Sequence, residues 1–271
     1  MTDTTTPKNT LTFLGTAGAR FMVSKQLAAS GGMWLSLGGT EIMIDPGPGA
    51  IVQVNKRKLN AEKLKAIILS HRHLDHSGDV NVMVEAMTGG GFHRHGLVFG
   101  PPDAFNNEPV LFSYLKRYLD GVVILEEGKS YNIGDVTFST PVKHLHPVDT
   151  FGLVFKGEDY NFAYIADTLY FKELEIIYKC DMLILNMVFT HPLPPVQHLA
   201  IEDVKNIIEG VKPKVALLNH YGMHVWQAKP WLIAEDLTQK TGVKVIAARD
   251  GMKFDLTKLE VIPQRVLKAK E

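Results

Sequence analysis

Cysteine is almost absent from this chain of 271 residues; Cys180 is the only one. No intrachain disulfide can form, so stability has to come from a packed core. Charge of one sign is missing too, because 29 basic and 29 acidic residues cancel to a formal net charge of zero. That balance argues against a basic face that grips nucleic acid. No apolar run approaches the length of a membrane-spanning helix, and the Thr-rich start does not look like a leader. A cytoplasmic protein without membrane contact is expected. Histidine is missing from the whole N-terminal quarter, since all 11 histidines lie at or beyond position 71.

What is present suits a globular α/β chain. Hydrophobic residues make up 45% of it, enough for a substantial core. Residues 1–10 read as a flexible terminus and 11–271 as a single domain, with no linker or repeat after residue 10. Strands are expected at 11–14, 33–37, 41–44, 66–70, 97–99, 122–125, 136–140, 151–155, 161–165, 182–185, 215–218, 243–247 and 253–255. Helices are expected at 50–57, 79–87, 109–119, 171–178, 201–209 and 230–241. Gly38-Gly39 reads as a tight hairpin. Cys180, opening the apolar run to Leu185, reads as a buried, inert thiol. The alternation of strands and helices implies sheets with helices outside, and does not by itself separate a doubly wound fold from a two-sheet sandwich.

The densest chemistry follows the apolar run Ala66–Leu69. His71-Arg72-His73-Leu74-Asp75-His76 puts three imidazoles and a carboxylate into six residues. Neutral imidazole is the commonest metal-binding side chain, and carboxylate suits the same cations. Strand alternation turns His71 and His73 to one side, and Asp75 and His76 come one turn later. So many titratable groups at one strand end call for a cation to organise them.

This HxHxDH run resembles the signature of the metallo-β-lactamase superfamily. Leu14-Gly15-Thr16-Ala17-Gly18 is similar to the first strand and turn of its ribonuclease Z-like branch, which also contains small-molecule phosphodiesterases. Asp45-Pro46-Gly47-Pro48-Gly49 is similar to an Asp-containing turn that supports the ligands in that family. Asp45 reads equally as a turn residue bonding its own backbone. The resemblance implies a four-layer αββα sandwich with a metal site at one edge between the sheets.

It also implies the remaining ligands, in order: His146 six residues before Gly152, Asp167 after the strand ending at Ile165, and His220 after the strand ending at Leu218. His144 is the rival to His146. The implied assembly has two divalent ions, Zn by default with Mn or Fe allowed. His71, His73 and His146 hold one, Asp75, His76 and His220 the other, and Asp167 bridges.

His198 occupies the place where that branch has a leaving-group acid, and Asp75 is the group expected to tune it. The catalytic pair is thus Asp75 and His198. The resulting expectation is a dinuclear metal-dependent hydrolase, most directly a phosphodiesterase attacking a small phosphodiester through a metal-bridging hydroxide. Lactone or thioester hydrolysis on the same site stays open. tRNA 3′-end processing is disfavoured by neutral charge and by the lack of a basic arm between Phe151 and Asp167. The expected partners are a small-molecule substrate and a second copy in a homodimer, with neither nucleic acid nor membrane. The loop with His93, Arg94 and His95 reads either as a flap over the site or as an exposed loop, and His224 as pocket-lining or surface. Arg20 and Lys25 read as surface charge or as anion contacts.

Overall fold

A computed structural model describes residues 7–263 of the chain. It contains two sheets packed face to face. The first starts from β1 (Asn9–Phe13), β2 (Met33–Leu37), β3 (Thr40–Ile44), β4 (Leu64–Ile68), β5 (Leu97–Gly100) and β6 (Gly121–Ile124). With β14 (Lys253–Asp255) and β15 (Glu260–Ile262) these form eight strands in the order β15-β14-β1-β2-β3-β4-β5-β6. The second sheet holds β7 (Lys129–Ile133), β8 (Val136–Thr140), β9 (Leu153–Lys156), β10 (Asn161–Ile165), β11 (Met182–Asn186), β12 (Val215–Asn219) and β13 (Lys244–Ala247). Its order is β13-β12-β11-β10-β9-β8-β7.

Side-chain alternation builds the four layers. In β11, Met182 and Ile184 join the core between the sheets, while Leu183 and Leu185 face the outer helices. In β4, Ala66 and Ile68 face inward and Ile67 outward. Strands buried on both faces read as unbroken apolar runs, which is what these sequences show. Helix α4 (Val80–Met87) covers the first sheet with Val80, Met83, Val84 and Met87, one stripe at helical spacing. Helix α6 (Ile201–Val211) does the same on the second sheet with Val204, Ile207, Ile208 and Val211. Helices α2 (Ala50–Lys56) and α8 (Pro230–Thr241) complete the two outer layers. The fold is the αββα sandwich.

Each sheet has a parallel half, β3-β4-β5-β6 and β10-β11-β12-β13. The loops leaving the C-terminal ends of parallel strands are where α/β sheets bind ligands. β9 and β10 pair directly as antiparallel neighbours, joined by a turn closed by Gly157 N–H donating to Tyr160 O at 2.9 Å.

Several expectations need correction. β1 begins at Asn9, so Asn9 and Thr10 are ordered and buried, with the Asn9 amide donating to Thr257 Oγ1 at 3.2 Å. The rest of the expected flexible segment, up to residue 6, lies outside the described residues, as do residues 264–271. The helix expected at 109–119 is a six-residue 3₁₀ turn, Ser113–Tyr118. Asn81 is the reason: its side chain donates to Val110 O and accepts from Phe112 N–H, both at 2.8 Å, which takes up the backbone groups a helix would need. β7 and β15 are sheet-edge strands with half-exposed, partly polar sequences, and α1 (Ala19–Lys25), α3 (Leu74–Ser77) and α7 (Met223–Gln227) are short. None of these five was expected. The helix expected at 171–178 shrinks to α5 (Leu174–Ile177).

Cys180 is half-buried rather than fully buried, beside the outer core of the second sheet. Burial pushes its thiol up to about 12. At pH 8 its thiolate fraction is therefore about 10⁻⁴. Native protein is expected to react with a disulfide reagent at least ~100-fold more slowly than urea-unfolded protein; equal rates would contradict the burial.

Candidate metal centre

Four strand ends deliver the site. β3 ends in Asp45. β4 leads to His71 and His73, and α3 supplies Asp75 and His76. Asp167 follows β10, and His220 follows β12. His146 comes from the loop after β8, and His198 from the loop between β11 and α6. The backbone is strained at two of these positions. Asp45 and His220 are non-glycine residues with φ of 52° and 59°, in the left-handed region. Such strain persists where surrounding contacts over-determine the conformation. The turn after β1 sits so close to His220 that a Cβ on Gly18 would meet its Nδ1 at 2.1 Å.

All seven residues expected as ligands converge. His73 Nδ1 lies 3.1 Å from both His71 Nε2 and His146 Nε2. Nitrogens bound tetrahedrally to one ion at usual metal–nitrogen lengths lie about 3.3 Å apart. Asp75 Oδ2 lies 3.4 Å from His220 Nε2 and 3.9 Å from His76 Nε2. Asp167 Oδ2 stands between the two groups, 3.8 Å from His71 Nε2 and 3.5 Å from His76 Nε2. Its Oδ1 is 3.5 Å from His220 Nδ1. His71-His73-His146, His71-His76-Asp167 and Asp75-His76-His220 each place three donor atoms within reach of one cation.

The donors' state fits that use. His76 Nε2, His198 Nδ1 and both ring nitrogens of His220 are buried without a hydrogen-bond partner. Buried polar atoms are costly when unpaired, and a shared cation would satisfy them. Burial, joined by the charge of neighbouring histidines and opposed by Asp167, pushes His71 well below its ordinary value and His146 down to about 4. Burial lowers His73 as well. These rings are neutral at pH 7, with lone pairs free for a cation. Burial would raise Asp75 and Asp167, but His76 and His220 hold Asp75 below the usual carboxylate range, and His220, His198 and His76 do so for Asp167. Burial opposes charge on His76, yet Asp167, Asp45 and Asp75 together keep it well above its ordinary value.

A buried hydrogen-bond chain supports the cluster from behind. Asp45 Oδ2 accepts from Ser70 Oγ at 2.7 Å, His76 Nδ1 at 3.0 Å and Tyr164 OH at 3.0 Å. Asp45 Oδ1 accepts from Ser70 N–H at 2.7 Å. Asn186 Nδ2 donates to Tyr164 OH at 3.0 Å and to Asp167 Oδ1 at 2.8 Å. His76 and Asp167 are thus tied through Asp45, Tyr164 and Asn186. Asp45 therefore supports the cluster through His76, Ser70 and Tyr164 and is more than a local turn acceptor. Tyr164 and Asn186 were missed; they read as ordinary members of apolar strands.

His144 turns away from the cluster. Its Nδ1 lies 3.3 Å from Asp167 O and its Nε2 2.7 Å from Tyr178 OH. Burial lowers it to about 4. A Cβ at Gly152 would meet Tyr178 OH at 2.2 Å, so glycine there makes room for this pair. Asp250, also missed, fastens the turn after β1 by accepting from Thr16 N–H and Oγ1, both at 2.9 Å, and from Ala29 N–H at 2.7 Å. That turn in turn sends Ala19 N–H to Asp75 Oδ2 at 3.2 Å.

His198 is placed beside the cluster with its Nδ1 3.4 Å from Asp167 Oδ2. Burial lowers it, opposed chiefly by Asp167 and less by Asp75, so its nearest acidic neighbour is Asp167 rather than the expected Asp75. The loop of His93, Arg94 and His95 precedes β5, and its Gly89 and Gly90 line a groove with Asn60 and Ala61, just before β4. It therefore sits at the opposite end of the sheet from His71 and is no flap over the site. His224 is exposed on α7. Arg20 is exposed, close enough to depress His73 by its charge, and Lys25 lies in the last turn of α1.

A histidine–aspartate cluster at the edge between two helix-covered sheets is the mark of a metallo-hydrolase sandwich. Residues 40–221 match the family described as Beta-lactamase superfamily domain, and the chain belongs to that superfamily as one of its metallo-hydrolases. It is 32% identical over 254 residues to the uncharacterized protein MJ1374 of Methanocaldococcus jannaschii, covering 90% of this chain and 94% of that one. The fold is similar to the metallo-beta-lactamase fold protein YhfI from Bacillus subtilis, with a TM-score of 0.78 at 20% identity over 92% of this chain and 99% of that one. It is also similar to a diphosphatase from the PhnP family, with a TM-score of 0.67 at 20% identity over 91% and 96% of the two chains. Among the described residues no helix is long and apolar enough to cross a membrane.

Proposed function

We propose that the protein is a phosphodiesterase that cleaves a small phosphodiester with two divalent cations. His71, His73 and His146 would hold one, Asp75, His76 and His220 the other, with Asp167 shared. Such cations, Zn, Mn or Fe by donor type, supply Lewis acidity toward a phosphate oxygen and make a water nucleophilic near neutral pH.

The observation that carries the phosphodiester reading is His198. It is an imidazole at the cluster, needed by neither set of ligands, and its side chain retains 12% exposure. With Nδ1 toward Asp167, Nε2 is the nitrogen left for substrate. In diester hydrolysis the water oxygen bonds to phosphorus, the bond from phosphorus to the leaving oxygen breaks, and that oxygen must gain a proton. An alkoxide is a poor leaving group, so an acid at this point has a large effect. Burial holds His198 down, while Asp167 and the substrate's own negative charge pull it toward the protonated form that donates. The similarity to a PhnP-family diphosphatase is in keeping with phosphoryl chemistry. A large nucleic acid fits poorly, given the zero net charge and the short β9–β10 turn.

The test is hydrolysis of bis(p-nitrophenyl) phosphate by Zn- or Mn-loaded protein. Turnover is expected and lost on chelation. With metal content unchanged, His198→Ala should lose ~10²–10³-fold on a diester with an alkoxide leaving group, such as a dialkyl phosphate, and far less on this one, because p-nitrophenolate leaves without a proton. Fully metallated protein that turns over no diester would move the assignment to lactones or thioesters.

A further inference from the structure

The segments that carry the cluster also carry large apolar side chains that face solvent. Leu74 lies between His73 and Asp75, yet is 73% exposed while its neighbours turn inward. Phe21, 71% exposed, is two residues beyond Ala19, whose N–H binds Asp75, and its helix α1 packs against α3. Leu145 adjoins His146, and its carbonyl accepts from Leu169 N–H, two residues beyond Asp167, at 2.7 Å. Leu193 and Val196 precede His198 in one turn, with Val196 N–H donating to Leu193 O at 2.9 Å. His146 Nδ1 donates to Gln197 O at 3.0 Å and so joins those last two segments. Leu145, Leu169, Leu193 and Val196 are all exposed as well.

Isolated exposed leucines are ordinary. Five such apolar side chains within five residues of a cluster residue or His198, and Phe21 on the helix packed against α3, make a concentration of the kind that marks a binding surface. Cations are scarce there. Among the described residues, Arg20 is the exposed one beside His73; Arg72 is tied to Glu108, through its carbonyl at 2.8 Å and its carboxylate at 3.6 Å, and Lys143 is paired with Asp149. One arginine suits a single phosphate, and the rest of this surface suits hydrocarbon. A second copy seated on it would close the approach to His198, so the occupant consistent with catalysis is part of the substrate.

We infer that the substrate is a phosphodiester with one apolar ester group, an alkyl chain or aryl ring, which lies on Phe21, Leu74, Leu145, Leu169, Leu193 and Val196 during cleavage. This rests on the phosphodiesterase reading above.

The test uses three diesters that share a p-nitrophenyl leaving group and differ in the other ester: methyl, octyl and thymidine-5′-yl. With metal-loaded protein, kcat/KM for the octyl ester is expected at least ~10-fold above both others, since each buried methylene adds to affinity. The double variant Phe21→Ser/Leu74→Ser should bring the octyl-to-methyl ratio of kcat/KM close to one. Preference for the thymidine ester, or an octyl preference untouched by the double variant, overturns the inference. Calorimetric titration with octylphosphonate and methylphosphonate separates the two readings. Tighter binding of the octyl compound without turnover of any diester keeps the apolar subsite and overturns the phosphodiesterase. Equal binding overturns the subsite whatever is turned over. Sedimentation gives the last outcome: a dimer dissociated by Phe21→Ser/Leu74→Ser would assign this surface to a second copy and overturn the inference.

Discussion

Asp167→Ala should lower turnover by ~10⁴-fold or more and leave at most one tightly held cation per chain. Asp167 is the one carboxylate whose oxygens face His71, His76, His198 and His220 together, at 3.4–3.8 Å. Removing it takes away the negative charge that links the two proposed ligand sets and the partner that orients His198. Asp167→Asn is the informative companion, because an amide oxygen can still accept from Asn186 while carrying no charge. If the effect is electrostatic, asparagine fails nearly as badly as alanine. Metal analysis after dialysis and diester hydrolysis check both. Two retained cations and turnover within ~10-fold of the parent in Asp167→Ala would overturn the shared-carboxylate role.

The convergence of the candidate ligands was legible because these residues announce themselves locally. Six consecutive residues, His71 to His76, supply four of the donors, and Asp167 and His220 each end an unbroken apolar strand. The choice between His144 and His146 could be made only by likeness, since both lie in one loop. The structure gives the physical reason, a slot behind Gly152 that seats His144 on Tyr178. The supporting residues were illegible for the opposite reason. Tyr164 and Asn186 act through partners 119 and 19 residues away in sequence, and Asp250 through partners 234 and 221 residues away. No local pattern encodes such pairings. The same holds for the segment 109–119, where a single distant asparagine, Asn81, overrides helical propensity. Edge strands β7 and β15 escaped because half-exposed strands lose the apolar run that marks central ones.

Asp45→Ala is expected to cause the largest loss of stability of any single change near the site. The residue is 3% exposed, and its side chain accepts four hydrogen bonds, from Ser70 N–H, Ser70 Oγ, His76 Nδ1 and Tyr164 OH. Each buried donor left unpaired costs ~1–3 kcal/mol, partly recovered where water enters the space. A net cost of ~3–5 kcal/mol follows, or a fall of roughly 10 °C in Tm for a chain of this size. Alanine also fits poorly at φ 52°, where asparagine is tolerated. Asp45→Asn therefore separates the causes: it keeps the backbone content and some acceptors but removes the charge facing His76. It should recover part of the Tm while metal affinity stays ~10–100-fold down, the loss typical when the partner of a metal-bound histidine is removed. Tyr164→Phe removes only the link toward Asn186 and Asp167 and should cost ~1 kcal/mol with a smaller fall in affinity. Thermal unfolding and competition with a chelating dye check all three. The order Asp45→Ala, Asp45→Asn, Tyr164→Phe in lost stability is what a single connected network requires; an Asp45→Ala protein as stable as the parent would mean that His76 and Asp167 are held in place independently.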